Sequence, residues 1–201
     1  MEPVSAMART ILPPFASFSE EGVIIGRLLA GYGELEIDLA MLAGEIVGDT
    51  GMALRVLYRA RGEAQRVNLA DALARRKIKN EAMRCLFERT IAAMRQCTKI
   101  RNTFAHSNWV AGPNCLMFVT LEDMAARNHD LEEMYLTQHD TPKSLLDEQE
   151  AYFIWVQDTF AFIKENWRYG DDEQSSPASA APIEMPMPPL HRKWVKPARG
   201  E

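Results

Sequence analysis

Apolar residues recur at helical spacing along three separate stretches of this chain, and nothing else in the sequence restricts the fold as much. Ile24, Leu28, Leu35, Leu39, Leu42 and Ile46 step by three, four and seven, with Arg27, Glu34, Glu36, Asp38 and Glu45 between them. That pattern predicts an amphipathic helix of roughly 28 residues, capped by Ser19 ahead of Glu20 and Glu21. Met83, Leu86, Phe87, Ile91, Met94, Thr98 and Phe104 mark a second long helix starting near Asn80, whose other face carries Arg84, Arg89, Arg95 and Lys99. Leu145, Tyr152, Trp155, Val156, Phe160, Ile163 and Trp167 mark a third, opened by Thr141 and Pro142. Between the first two, Gly48-Asp49-Thr50-Gly51 breaks the chain and caps another helical region that runs to about Arg76 with a kink at Gly62. Helices this amphipathic are stable only when their apolar stripes face one another, so the fold expected is an all-α four-helix bundle.

The connections follow from turn chemistry. Gly112-Pro113-Asn114 cannot continue a helix, so the motif-bearing helix must end near Ser107. The runs 115–121 and 134–137 are β-prone, and a polar loop lies between them. They predict a small antiparallel hairpin at about 115–138, inserted before the last helix. Residues 1–18 read as an irregular leader and 19–169 as one domain. Beyond 170 the composition collapses to Asp, Glu, Gln, Ser, Pro and Ala, with six of the eleven prolines after Glu173, which reads as a disordered tail over 170–201. At 201 residues and 47% hydrophobic the chain can bury one sizeable core. No run approaches the ~18 apolar residues of a membrane span. Cys85, Cys97 and Cys115 form neither an even disulfide set nor a CxxC pair, so a reducing, cytoplasmic setting is expected.

Charge is unevenly distributed. Residues 55–101 hold thirteen Arg and Lys against four acids, whereas 115–150 hold nine acids against two bases. A basic middle suits an anionic ligand, although such runs also serve simply to solvate a face. Within it the second long helix ends Lys99-Ile100-Arg101-Asn102-Thr103-Phe104-Ala105-His106. Arg101, Asn102 and His106 spell Arg-Asn-x-x-x-His. This resembles the signature of the HEPN family, helical bundles that include metal-independent endoribonucleases of toxin–antitoxin and phage-defence systems. The first helix with Tyr32-Gly33-Glu34-Leu35-Glu36 and the aromatic closing helix resemble that family too, over roughly residues 19–168. The resemblance implies a homodimer in which two motifs line one cleft, RNA as substrate, no metal or cofactor, and an antitoxin as a partner of some members. Other members keep the fold as non-catalytic dimerisation or nucleotide- and partner-binding modules.

These residue types suit RNA cleavage. Attack by a 2′-hydroxyl needs a group that moves protons near neutral pH, a task for His106, and a cation at the phosphate, a task for Arg101. On a straight helix Arg101 and His106 stand ~140° apart, so either the helix frays near His106 or two copies meet across a two-fold axis. Asn102 and His106, at i and i+4, share a face. Arg95 and Lys99 are candidates for phosphate contacts, and Trp109 for stacking on a base. The same residues also admit a purely structural role, with His106 satisfying helix-end carbonyls and Arg101 paired to an acid on a neighbouring helix. Glu34, Glu36 and Asp38 fall on the solvated side of their helix and are assigned no role. The His-Asp steps at 129–130 and 139–140 lack the further ligands a metal needs and read as ordinary polar loop. In the tail, Pro186–Pro197 reads as solvated chain, as a short linear motif for a partner, or as a source of phosphate contacts.

Overall fold

A computed structural model of the chain describes residues 12–120, 138–168 and 180–192. Its helices are α1 (Pro14–Ser17), α2 (Ser19–Val47), α3 (Thr50–Arg59), α4 (Glu63–Ala74), α5 (Glu81–Ala105) and α6 (Lys143–Asn166), and its strands are β1 (Ser107–Ala111), β2 (Leu116–Thr120) and β3 (His139–Thr141). α2 packs against α6, α6 against α5, α5 against α4, and α4 back against α2, with α3 laid on α2. The three apolar stripes meet in the centre. Leu28, Leu35, Leu42, Phe87, Ile91, Met94, Val156 and Phe160 are all essentially inaccessible, and each such side chain contributes about 1.5–3 kcal/mol by leaving water.

Local signals place the helix ends. Gly48 closes α2 in the left-handed region (φ 89°), where a side chain is strained. Asp49 then caps α3, its carboxylate accepting the Met52 N–H at 2.8 Å. Asn80 caps α5 in the same way through Met83 at 3.0 Å. Elsewhere the structure departs from the sequence reading. Residues 14–17 of the expected leader form a helical turn that feeds straight into α2, so Ser19 is its first residue and caps nothing. The kink at Gly62 is a complete break, because Ala60 and Gly62 are extended and separate α3 from α4. Thr141 does not cap α6. It is buried in β3, and its hydroxyl donates to Leu116 O at 2.8 Å.

The β region is an antiparallel three-stranded sheet in the order β1-β2-β3. β2 falls within the run expected to be a strand. Its partners are the residues just after the motif helix, with Trp109 opposite Phe118, and β3, with His139 opposite Phe118. Residues 107–111 and 116–120 form a hairpin, β2 also pairs with β3, and residues 134–137 of the expected second strand lie outside the described residues. Leu116, Met117, Phe118 and Val119 are all buried, so β2 needs a strand on each edge to satisfy its backbone. The β1–β2 turn is tight. A Cβ on Gly112 would stand 2.6 Å from Cys115 O.

The expectation of a wholly disordered tail is corrected over residues 180–192, which run extended along α5 and α6. Proline-rich chain cannot form its own ladder, and here side chains of the bundle take up its carbonyls. Gln96 Nε2 donates to Pro188 O at 2.8 Å, and Gln149 Nε2 donates to Pro189 O at 2.7 Å. Arg89 pairs with Glu184 at 2.7 Å, and Arg192 with Glu148 at 2.8 Å. The Arg192 N–H reaches Asp140 O at 3.1 Å, adding a bridge to the free edge of β3. Met185 and Leu190 pack on the core.

Candidate functional site

Arg95, Lys99, Asn102 and His106 are spaced by four, three and four. At 100° per residue they fall within an arc of about 60°, one stripe of α5. That stripe forms a wall of a cleft of about 560 Å³. Asn68 of α4 faces it from one side, Phe118, Thr120 and His139 of the sheet from another, and Leu190 and His191 of the C-terminal segment complete it. Four of the residues singled out from the sequence thus share one cavity.

The two cations are not equivalent. Arg95 is held by Asn68 Oδ1 at 3.0 Å and by Asp71 Oδ2 at 3.2 Å, and Asp71 also carries Arg75 at 2.6 Å. Lys99 is exposed and has no ion-pair partner among the described residues. His106 is exposed at the end of α5. Its backbone N–H still donates to Asn102 O at 3.1 Å, so the helix does not fray before it. Its ring lines the cleft and makes no hydrogen bond among the described residues.

Arg101 lies about 120° round the helix from Arg95 and is not part of this wall. Its Nη1 donates to Glu63 Oε1 at 2.7 Å and to Asn102 Oδ1 at 2.8 Å. Asn102 Nδ2 completes the triangle by donating to Glu63 Oε2 at 3.3 Å. The guanidinium sits 5.8 Å from the centre of the Tyr32 ring. Tyr32 in turn donates to Thr98 Oγ1 at 2.9 Å, because the Thr98 hydroxyl proton is committed to Met94 O. Burial pushes the Tyr32 phenol far above its ordinary titration range, so it stays a neutral donor. Arg101 and Glu63 therefore fix the amide of Asn102, a residue of the cleft wall. Glu63 was not singled out from the sequence. The signal was its place as first residue of α4, where an acid suits the helix dipole and meets the end of α5.

Trp109 lies outside the cleft wall. It packs among Phe15 (5.6 Å), Phe104 (5.3 Å) and Phe118 (5.6 Å), joining α1, α5 and the sheet. Glu36, read as solvated, is half-buried and paired with Arg66 at 2.6 Å. Burial raises its carboxyl above the usual range and outweighs the attraction of Arg66.

Sequence reasoning gave no site role to two imidazoles that line the cleft. His139 is not in a loop. It is a buried residue of β3, and its ring lies 4.0 Å from that of His191, which the C-terminal segment supplies. Phe118 stands edge-on to His191 at 6.1 Å. Two polar atoms in this lining, His191 Nδ1 and Thr120 Oγ1, are buried with no hydrogen-bond partner among the described residues. No group of three or more His, Cys, Asp or Glu placed to hold a metal ion occurs among the described residues. The His-Asp step at 129–130 lies outside them. Among the described residues no helix is long and apolar enough to cross a membrane. No protein-family model matches the chain, and neither a curated protein nor a solved structure matches it.

Proposed function

We propose that this chain is a metal-independent endoribonuclease of the toxin or phage-defence type, built on an HEPN-like bundle and acting on RNA in the cytoplasm as a homodimer. The observation that carries the reading is the single stripe of α5 that sets two cations, an amide and an imidazole on one wall of a cleft of about 560 Å³. Lys99 and Arg95 draw the phosphate in, since cations on one wall supply sequence-independent affinity for the backbone. His106 moves the proton of the attacking 2′-hydroxyl, and Asn102, held by Arg101 and Glu63, keeps the wall in register. The substrate supplies its own nucleophile, so the step asks for no cofactor. Arg101 keeps 31% of its side-chain surface open. A second copy across a two-fold axis would meet it there, in the composite site that the motif's resemblance implies.

One observation favours a second reading, a non-catalytic HEPN-like dimerisation or nucleotide- and partner-binding module. Arg101 already spends its guanidinium on Glu63, which is the structural role such a residue would have. Expression of the wild type and His106→Ala in a bacterial host separates the two. The enzyme predicts growth arrest that the substitution abolishes, with purified protein cutting RNA in excess EDTA to a 2′,3′-cyclic phosphate end. Equal growth of both strains and intact RNA would establish the module instead. Cleavage lost in EDTA and restored by a divalent ion would overturn the mechanism, and a monomeric solution mass would overturn the composite site.

A further inference from the structure

We propose that His191 is a second catalytic residue of this cleft, the general acid that protonates the leaving 5′-oxygen, and that the C-terminal segment exists to deliver it. The inference rests on the endoribonuclease reading and adds to it a residue from outside the motif.

Four observations converge on His191. It lines the same cleft as His106. Its Nδ1 is buried with no hydrogen-bond partner among the described residues, so Nε2 is the nitrogen through which the ring can meet a ligand. Its ring packs against aromatic neighbours, 4.0 Å from His139 and 6.1 Å from Phe118. The segment that carries it is held at both ends and in between, by Glu184 to Arg89, Pro188 O to Gln96, Pro189 O to Gln149, and Arg192 to Asp140 and Glu148. A merely solvated tail would not receive two buried glutamine amides.

The chemistry needs two proton transfers. The 2′-oxygen attacks phosphorus, the O2′–P bond forms and the P–O5′ bond breaks, with no change in oxidation state. His106 takes the 2′-hydroxyl proton, and His191 gives its proton to O5′ as it departs. The pair is left with its protons exchanged, and the next water-mediated transfer restores it. An imidazole suits both parts because its ordinary titration lies near neutral pH.

The test compares His191→Asn with the wild type on two substrates, ordinary RNA and the same RNA with sulfur in place of the bridging 5′-oxygen. A thiolate leaves without help from an acid. His191→Asn should lose at least about a hundredfold on ordinary RNA and regain most of it on the sulfur substrate, whereas His106→Asn should stay inactive on both. Gln96→Ala combined with Gln149→Ala, which frees the segment without touching the cleft wall, should reproduce the His191→Asn pattern. Melting curves for each variant show whether the bundle remains folded. Wild-type rates for His191→Asn on both substrates, or an equal loss on both in a folded variant, would overturn the assignment. A wild type that cuts neither substrate would overturn the endoribonuclease reading itself.

Discussion

Replacing Arg101 by Ala should cost stability, whereas replacing His106 by Ala should not, and the contrast follows from where each side chain goes. Arg101 makes a 2.7 Å bond to Glu63 and a 2.8 Å bond to Asn102, and lies 5.8 Å from the Tyr32 ring centre. Its side chain is 31% exposed and that of Glu63 25%, which puts the pair between the surface and buried regimes. Exposed pairs are worth about 0.2–1 kcal/mol, whereas stripping one partner from a buried pair costs about 3–5 kcal/mol. Discounted for the open third of the surface, Arg101→Ala should cost about 1–2 kcal/mol. For a chain of this length that lowers Tm by about 2–8 °C. His106→Ala removes an exposed ring with no hydrogen bond among the described residues, and should stay within about 0.5 kcal/mol. Urea titrations of both variants, with Glu63→Ala and the Arg101/Glu63 double variant, supply the coupling energy, expected near 1 kcal/mol. Arg101→Lys should recover only part of it, since an ammonium lacks the fork that reaches Glu63 and Asn102 together. A coupling of zero, or a loss for His106→Ala as large as that for Arg101→Ala, would refute this account of the motif.

Glu36 gives a pH signature. Burial raises its folded-state pKa above the unfolded value, so between those two values the folded chain holds a proton that the unfolded chain lacks. Its contribution to stability should therefore fall as pH rises from about 4.5 through that window, and Glu36→Gln should remove this slope in urea titrations run from pH 4 to 7; an unchanged slope would contradict it. The α2–α3 corner supplies a steric test. A Cβ on Gly44 would stand 2.6 Å from the Thr50 Cα, a backbone atom that cannot swing aside. Gly44→Ala should cost about 2–3 kcal/mol by overpacking, more than the ~1–2 kcal/mol for Gly48→Ala at positive φ, and denaturation midpoints in the reverse order would disprove the placement of that corner.

Periodicity and capping made the bundle readable in the linear chain. A stripe of apolar residues every three or four positions already says which face of α2, α5 and α6 must be hidden, and Gly48, Asp49 and Asn80 act on the helix ends through neighbours at most four residues away. The α5 wall of the cleft belongs to the same class, because the spacing of Arg95, Lys99, Asn102 and His106 fixes a shared face on any straight helix. Tertiary structure decided the rest. Residues 107–111 become a strand only because β2 is buried on both faces and must bond along both edges. Composition alone gave residues 180–192 no core to join, yet Gln96 and Gln149 offer amides to their carbonyls across the bundle surface. His139 and His191 reach the cleft from distant parts of the chain, and Glu63 meets Arg101 from another helix. Local interactions act over about one helical turn and are written in short spacings. A shared cavity arises from contacts whose partners no spacing relates, so folding alone brings those side chains together.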